Sequence, residues 1–263
     1  MNLLLRTKHR VSMLLALLSE NSFFVVAGHL IKSRLGIGLG LSDTMKVHGF
    51  TLKLRRGSPD LAVALTSLGG EFDCLDEYFD TNFNGLIIDA GGYIGTAALA
   101  FSKAFPNARI ISVEASSSNA KLAAQNTASF PNIEVIHAAV TADHEIEEIM
   151  LYDRSTGAWG YTILQDAFDR PTMQLETVRT ITIDQLMEMS GFAEVSILKL
   201  DIEGAELRLL QSPDWLEATL VLVAELHERI APGCEAAFKM ATADRINGRH
   251  DGEKNISMKR VLS

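Results

Sequence analysis

The sequence predicts an α/β fold built on a doubly wound, mostly parallel sheet with an antiparallel C-terminal strand. Three observations lead there. Between residues 85 and 137, apolar runs of strand length alternate twice with helical stretches: GLIID (85–89), then 96–105; RIISVE (109–114), then 117–130; and a third strand at 133–137. The same rhythm returns at VSILKLD (195–201), a helix over 203–211, and LVLVAEL (220–226). A glycine-bearing turn, Ala90-Gly91-Gly92-Tyr93-Ile94-Gly95, joins the first strand to the first helix. Alternation of this kind implies parallel strands joined by right-handed crossovers, so the architecture is Rossmann-like.

Composition sets limits. Of 263 residues, 47% are hydrophobic and 22% charged, the balance of a globular chain rather than a disordered one. A formal net charge of -9 argues against a general nucleic-acid binder, because phosphate contacts need a basic surface. The two cysteines, Cys74 and Cys234, are too few and too far apart for a disulfide scaffold or a cysteine zinc site. They fit a reducing, cytoplasmic compartment. Every apolar run falls short of the roughly 20 residues that a membrane-spanning helix needs.

Two regions follow: a helical, basic arm over 1–44 and a Rossmann-like domain over 45–263. The arm holds five basic residues (Arg6, Lys8, Arg10, Lys32, Arg34) against Glu20 and Asp43. Leu14, Leu15, Leu17 and Leu18, and later Val25, Val26, Leu30 and Ile31, recur at helical spacing, with Asn21-Ser22 as a stop and cap. A signal peptide would need a longer apolar run and a small-residue cleavage site. Helices packed on the main domain are the plainer reading. A basic amphipathic arm on a membrane surface is the other, since its charge opposes that of the body. Gly36, Gly38 and Gly40 read as a flexible link, because no strand precedes them and no helix follows. Residues 46–55 read as a strand or hairpin and 60–68 as a helix. Residues 147–152 and 178–183 read as extra strands around a loop over 153–177. A helix over 235–243 and a strand over 256–262 close the chain.

In such sheets ligands bind beyond the carboxyl ends of the strands, where strand order reverses. Asp89, Glu114, His137, Asp201, Glu225 and His227 fall at or just past those ends. The turn does not read GxGxxG: Tyr93 stands where the second glycine would let the backbone approach a pyrophosphate. Asp89 repels phosphate and suits a ligand with an ammonium and a sulfonium. Glu114, ending the next strand, can accept from both ribose hydroxyls. S-adenosylmethionine fits that description.

Four stretches then carry a resemblance: LIIDAGGYIG (86–95), ISVEAS (111–116), TITIDQL (180–186) and LKLDIEGAE (198–206), with RRGSPD (55–60) and ELHE (225–228) beside them. Residues 46–238 resemble the FkbM-type family of S-adenosylmethionine-dependent methyltransferases, which have the class I methyltransferase fold. The resemblance implies that Gly91, Gly92 and Gly95 pass the backbone around the methionine portion. It implies that Glu114 grips the ribose, that Ala115 and Ala139 line the adenine, and that Asp201 sits near the sulfonium. The chain departs from the family at Gly92-Tyr93, where Ala-Asn is usual; the Asn amide is lost, and Tyr93 stacks on the cofactor or gates the pocket.

The family implies O-methylation of a sugar, glycolipid or secondary-metabolite hydroxyl. A hydroxyl must lose its proton, and Asp201, Glu225 and His227 are the candidate catalytic residues, His227 for its pKa near neutrality. Glu203 and Glu206 read as helix-start charges. Trp159 and Tyr161 are suited either to a sugar face or to packing under the loop. No metal is expected. An NAD(P)-dependent oxidoreductase and a non-catalytic Rossmann-like binding module are the rival readings. Peripheral membrane contact through 1–44 would suit a lipid-linked acceptor.

Overall fold

The computed structural model describes residue 13 and residues 15–250 and 254–260. Arg6, Lys8, Arg10 and Leu14 of the predicted arm lie outside the described residues, as do 261–262 of the predicted last strand. The chain forms two compact units, Met1–Phe72 and Asp73–Ser263. No helix among the described residues is long and apolar enough to cross a membrane.

In the first unit, residues 15–20 are helical and helix α1 spans Phe23–Arg34. Ser22 caps α1 by accepting from the Val25 N–H, as the Asn21-Ser22 signal predicts. Strands β1 (Ser42–Val47) and β2 (Phe50–Arg55) form an antiparallel hairpin, which begins four residues earlier than its apolar alternation suggests. Met45, Val47, Leu52 and Leu54 point to one buried face. Helix α2 (Asp60–Ser67) follows. The fully buried Asp60 carboxylate accepts from the Arg55 backbone N–H at 2.8 Å and from its guanidinium at 2.9 Å, tying the RRGSPD turn to the hairpin.

The second unit opens with a 3-10 turn at Asp73–Glu77 and holds most of the core. In chain order it contains β3 (Leu86–Ala90), α3 (Thr96–Ala104), β4 (Arg109–Glu114), α4 (Ser117–Thr127), β5 (Ile133–His137) and the short β6 (Ala139–Val140). Next come β7 (Glu148–Asp153), β8 (Met173–Ile181), α5 (Ile183–Ser190), β9 (Val195–Leu200), α6 (Glu206–Gln211), a 3-10 turn at Asp214–Ala218, and β10 (Thr219–Glu225). Helix α7 (Cys234–Ala241), β11 (Ile246–His250) and β12 (Lys254–Met258) complete it. The seven-stranded sheet has the order β11-β12-β10-β9-β3-β4-β5. From β10 to β5 it is parallel; β12 runs antiparallel to β10, and β11 antiparallel to β12. β3 and β9 are buried on both faces, which is why both read as unbroken apolar runs. β6, β8 and β7 form a separate small sheet.

Helix and strand positions in the two β-α-β stretches match the sequence reading to within a few residues. Two differences matter. β11, INGRH, was not legible: it is polar and interrupted by Gly248, and it exists through backbone pairing with β12. The helix expected over 203–211 begins only at Glu206, because Glu203 (φ +53°) and Gly204 (φ +96°) take left-handed conformations that a right-handed helix excludes.

Candidate functional site

Strand order reverses between β3, which leads outward to β4 and β5, and β9, which leads to β10. The crevice at this switch point is where an open sheet places its ligand. The turn after β3 fills one wall. The N–H groups of Gly91 and Gly92 both donate to the Val113 carbonyl, at 2.9 and 3.0 Å. Gly91 has φ +85°, and a β-carbon there would lie 1.8 Å from the Asp201 carbonyl oxygen. Only glycine lets the turn press against the end of β9. Gly95 (φ +86°) caps α3 and packs on Ala123 and Thr127 of α4. Tyr93 also has a positive φ, +47°, and its ring is buried. A non-glycine residue held there is strained.

Asp89 is fully buried. Lys199 Nζ lies 3.0 Å from its Oδ1 and the Ser112 hydroxyl donates to its Oδ2 at 2.8 Å. The same Nζ donates to the Gly91 carbonyl at 3.0 Å and lies 3.5 Å from Asp201. The carboxylate that the sequence suggested would face a cationic ligand is thus directed at a lysine of the neighbouring strand. The register that sets Asp89 level with Lys199 brings this about. Asp201, with a side chain 35% exposed, is the carboxylate left at the mouth. Burial works against its charge, but Lys199, His227 and Lys254 outweigh it and lower its pKa.

Glu114 ends β4 at 8% exposure. Its Oε2 accepts from the Tyr93 N–H at 2.8 Å, and its Oε1 from the Ser116 N–H at 2.8 Å and the Asn119 amide at 3.3 Å. Burial raises its pKa to about 7 against the pull of those donors and of Lys199. Ala139 is buried with Leu151 and Val178, and Ala115 and Tyr161 pack against that cluster. Trp159 is half exposed, its indole N–H donating to the Thr156 carbonyl at 2.7 Å. His137 bonds the Ala115 carbonyl at 3.0 Å.

The second group gathers at the ends of β9 and β10, whose register sets Leu200 beside Ala224. His227 Nδ1 lies 3.0 Å from Glu206 Oε1. Its Nε2 faces Glu203 at 3.7 Å, Asp201 at 3.8 Å and Glu225 at 3.9 Å. Burial opposes protonation, but the Glu206 hydrogen bond and the charges of Glu206, Glu203 and Asp201 raise the imidazole pKa to about 10. His227 is therefore an imidazolium at neutral pH, not the near-neutral base its residue type suggests. Asp201, Glu225 and His227 also bring one ligand atom each within 4.8 Å of one another, a spacing a divalent cation could bridge. Nε2 can hold a proton or such a cation, not both.

Glu203 reads in the sequence as a helix-start charge, and the structure gives it more. Its carboxylate accepts from Arg154 Nη2 at 2.7 Å. Burial, with Asp201 and Glu206 nearby, raises its pKa to about 7, although His227 and Arg154 oppose the rise. Arg154, buried, bridges onward to Asp169 at 3.1 Å. Asp169 lines a polar hollow of about 620 Å³, with Tyr152, Gln165, Arg170 and Gln174 around it. The signal for Glu203 was the D-I-E-G run itself: a glycine after the acid permits a left-handed turn, which carries the carboxylate off the helix.

The residues fit an S-adenosyl ligand. A buried carboxylate stands at the end of the second strand of the unit, a part-exposed one at the switch point, and a glycine turn lies between them. A comparison with solved structures finds the N-terminal domain of human METTL16 in complex with SAH, at 12% identity and a TM-score of 0.44, over 80% of this chain and 75% of that one. An O-methyltransferase from Bacillus cereus in complex with SAH is 10% identical with a TM-score of 0.41, over 91% and 92%. A SAM-dependent methyltransferase from Aquifex aeolicus is 12% identical with a TM-score of 0.39, over 70% and 86%. No curated protein sequence matches the chain. The sequence matches the methyltransferase FkbM domain over residues 89–242, more than half its length and all of the site except Lys254. The chain belongs to the FkbM family of methyltransferases, and its methyl donor is S-adenosylmethionine.

Proposed function

We propose that the protein is an O-methyltransferase, acting on a hydroxyl of a sugar, glycolipid or secondary metabolite. The observation that carries this reading is the convergence of Asp201, Glu203 and Glu225 on one imidazolium at the switch point. An amine acceptor needs no strong base; a hydroxyl acceptor must shed a proton, and a positioned base is typically worth about 10²–10⁴-fold.

When bound, S-adenosylmethionine supplies an electrophilic methyl group on a sulfonium. The chain's first task is to hold it. The turn formed by Gly91, Gly92, Tyr93 and Gly95 would carry the methionine portion, and Glu114 would accept from the ribose. Ala115 and Ala139 would back the adenine, and Asp201 would face the cationic end. Asp89 would act through Lys199, fixing the end of β9 against the turn. The chain's second task is to take the proton. His227, already protonated, keeps the neighbouring carboxylates oriented. Glu203, with a proton affinity near neutrality, is the group best matched to accept it, with Asp201 and Glu225 positioning the hydroxyl. Alignment of acceptor and methyl can itself supply up to ~7–11 kcal/mol.

The test is transfer of a labelled methyl group to a panel of hydroxylated acceptors. Label recovered in an ether that resists mild base supports the reading. Label in an amine or a base-labile ester, or donor binding without transfer to any acceptor, would overturn it.

A further inference from the structure

Helices on globular proteins turn their apolar stripe inward. α1 does the reverse. Phe23, Phe24, Leu30 and Ile31 share one face at the 3.6-residue period and all are exposed, Phe24 by 84%. Val26 and His29 are the residues that the helix buries, to one side of that face. The following turn extends the exposed apolar surface: Leu35, Ile37, Leu39 and Leu41 are 53–66% exposed. They alternate with Gly36, Gly38 and Gly40, whose φ angles are +70°, +64° and +78°.

This segment is not the flexible link that its glycines suggested. Its backbone is bonded, Ile37 N–H to the Lys32 carbonyl at 2.8 Å and Arg56 N–H to the Leu41 carbonyl at 2.9 Å. Asp43 clamps both ends, taking His29 at 2.9 Å and the Arg56 guanidinium at 2.6 and 2.9 Å. A frame of hydrogen bonds therefore presents the apolar side chains to solvent. Contiguous exposed apolar surface of this kind marks an interaction site.

Charge selects the partner. Lys32 and Arg34 close α1, and Glu20 is the one acidic residue in the sequence from 15 to 41. A second copy would bring these uncompensated cations together, which like-charge repulsion disfavours. An anionic bilayer complements them: apolar side chains enter the acyl boundary while lysine and arginine stay at the phosphate level. We propose that residues 23–41 dock the protein on anionic lipid bilayers.

The experiment is co-sedimentation of the full-length chain with vesicles of phosphatidylglycerol and phosphatidylcholine in equal parts, and with phosphatidylcholine alone. Binding to the anionic vesicles, weakened by salt, is expected. Phe24→Ser/Ile31→Ser/Leu39→Ser should lower partitioning by about tenfold or more, judged by the apolar area withdrawn. Lys32→Gln/Arg34→Gln should lower binding to the anionic vesicles alone. S-adenosylhomocysteine affinity should stay unchanged in both variants, which separates lost docking from lost folding. A wild-type chain that stays in the supernatant overturns the proposal. So does equal binding to both vesicle types, or self-association that the serine variant abolishes.

Discussion

His227 Nδ1 and Glu206 Oε1 lie 3.0 Å apart, and Glu206 has no exposed surface. Glu206 also accepts the N–H groups of Ile202 and Gly204, at 2.7 and 2.8 Å. One buried carboxylate thus ties the turn after β9 to the loop after β10. Removing the cation, as in His227→Leu, leaves that carboxylate with backbone partners only. A loss of ~3 kcal/mol is expected, the low end for breaking a buried pair because those partners remain; urea unfolding at pH 7 measures it. The raised imidazole pKa also sets a pH window. Its contribution is complete below pH 6.5 and disappears as pH rises through about 10. Wild-type stability should decline as pH rises from about 8 through about 10, and that part of the decline should vanish in His227→Leu.

Lys199 and Asp89 form a second buried pair, 3.0 Å apart. Lys199→Met removes the cation beside the buried Asp89 carboxylate, leaves it the Ser112 hydrogen bond, and should cost ~3–5 kcal/mol. In Lys199→Met/Asp89→Asn, part of that loss should return, with a coupling of about 0.5–3 kcal/mol in the double-mutant cycle. Strict additivity in urea unfolding would mean that the two side chains do not act as a unit.

Glu114 is protonated in the folded chain up to about pH 7, against an ordinary value of 4.5. The fold therefore binds the proton more tightly than the unfolded chain does. This residue's contribution to stability should fall as pH rises from 4.5 through 7, by up to ~3 kcal/mol. Ligand binding should move the other way, because an ionised carboxylate is the better acceptor for ribose hydroxyls. Calorimetric titration with S-adenosylhomocysteine should show affinity rising with pH through about 7. In Glu114→Gln that rise should be absent and the affinity about tenfold lower.

Glu203 is the proposed base. Glu203→Gln should lower kcat by about 10²–10⁴-fold, with KM for the donor little changed, since the loss falls on proton transfer. The wild-type rate should climb with pH through about 7, and the variant's residual rate should be flat. A chelator should leave both unchanged, because an imidazolium already stands among the carboxylates. Loss of activity on chelation, restored by a divalent cation, would assign Asp201, Glu225 and His227 to a metal instead.

Much of this protein was decided locally. The apolar runs of β3, β9 and β10, the proline-bounded helices and the D-A-G-G turn are short-range patterns, and by themselves they predict a doubly wound parallel sheet; the strand order that sets its switch point comes from tertiary pairing. The acids at the strand ends were legible for the same reason, since each closes an apolar run. What those acids do was not legible. Register alone sets Lys199 beside Asp89 and pairs the two side chains inside the sheet. Glu206, Glu203 and Asp201, all carried by the segment after β9, make His227 of the loop after β10 a cation, and a left-handed Glu203 stands outside the helix that its sequence suggests. Charge state and side-chain direction depend on neighbours distant along the chain, and only packing brings those neighbours within the few ångströms over which they act.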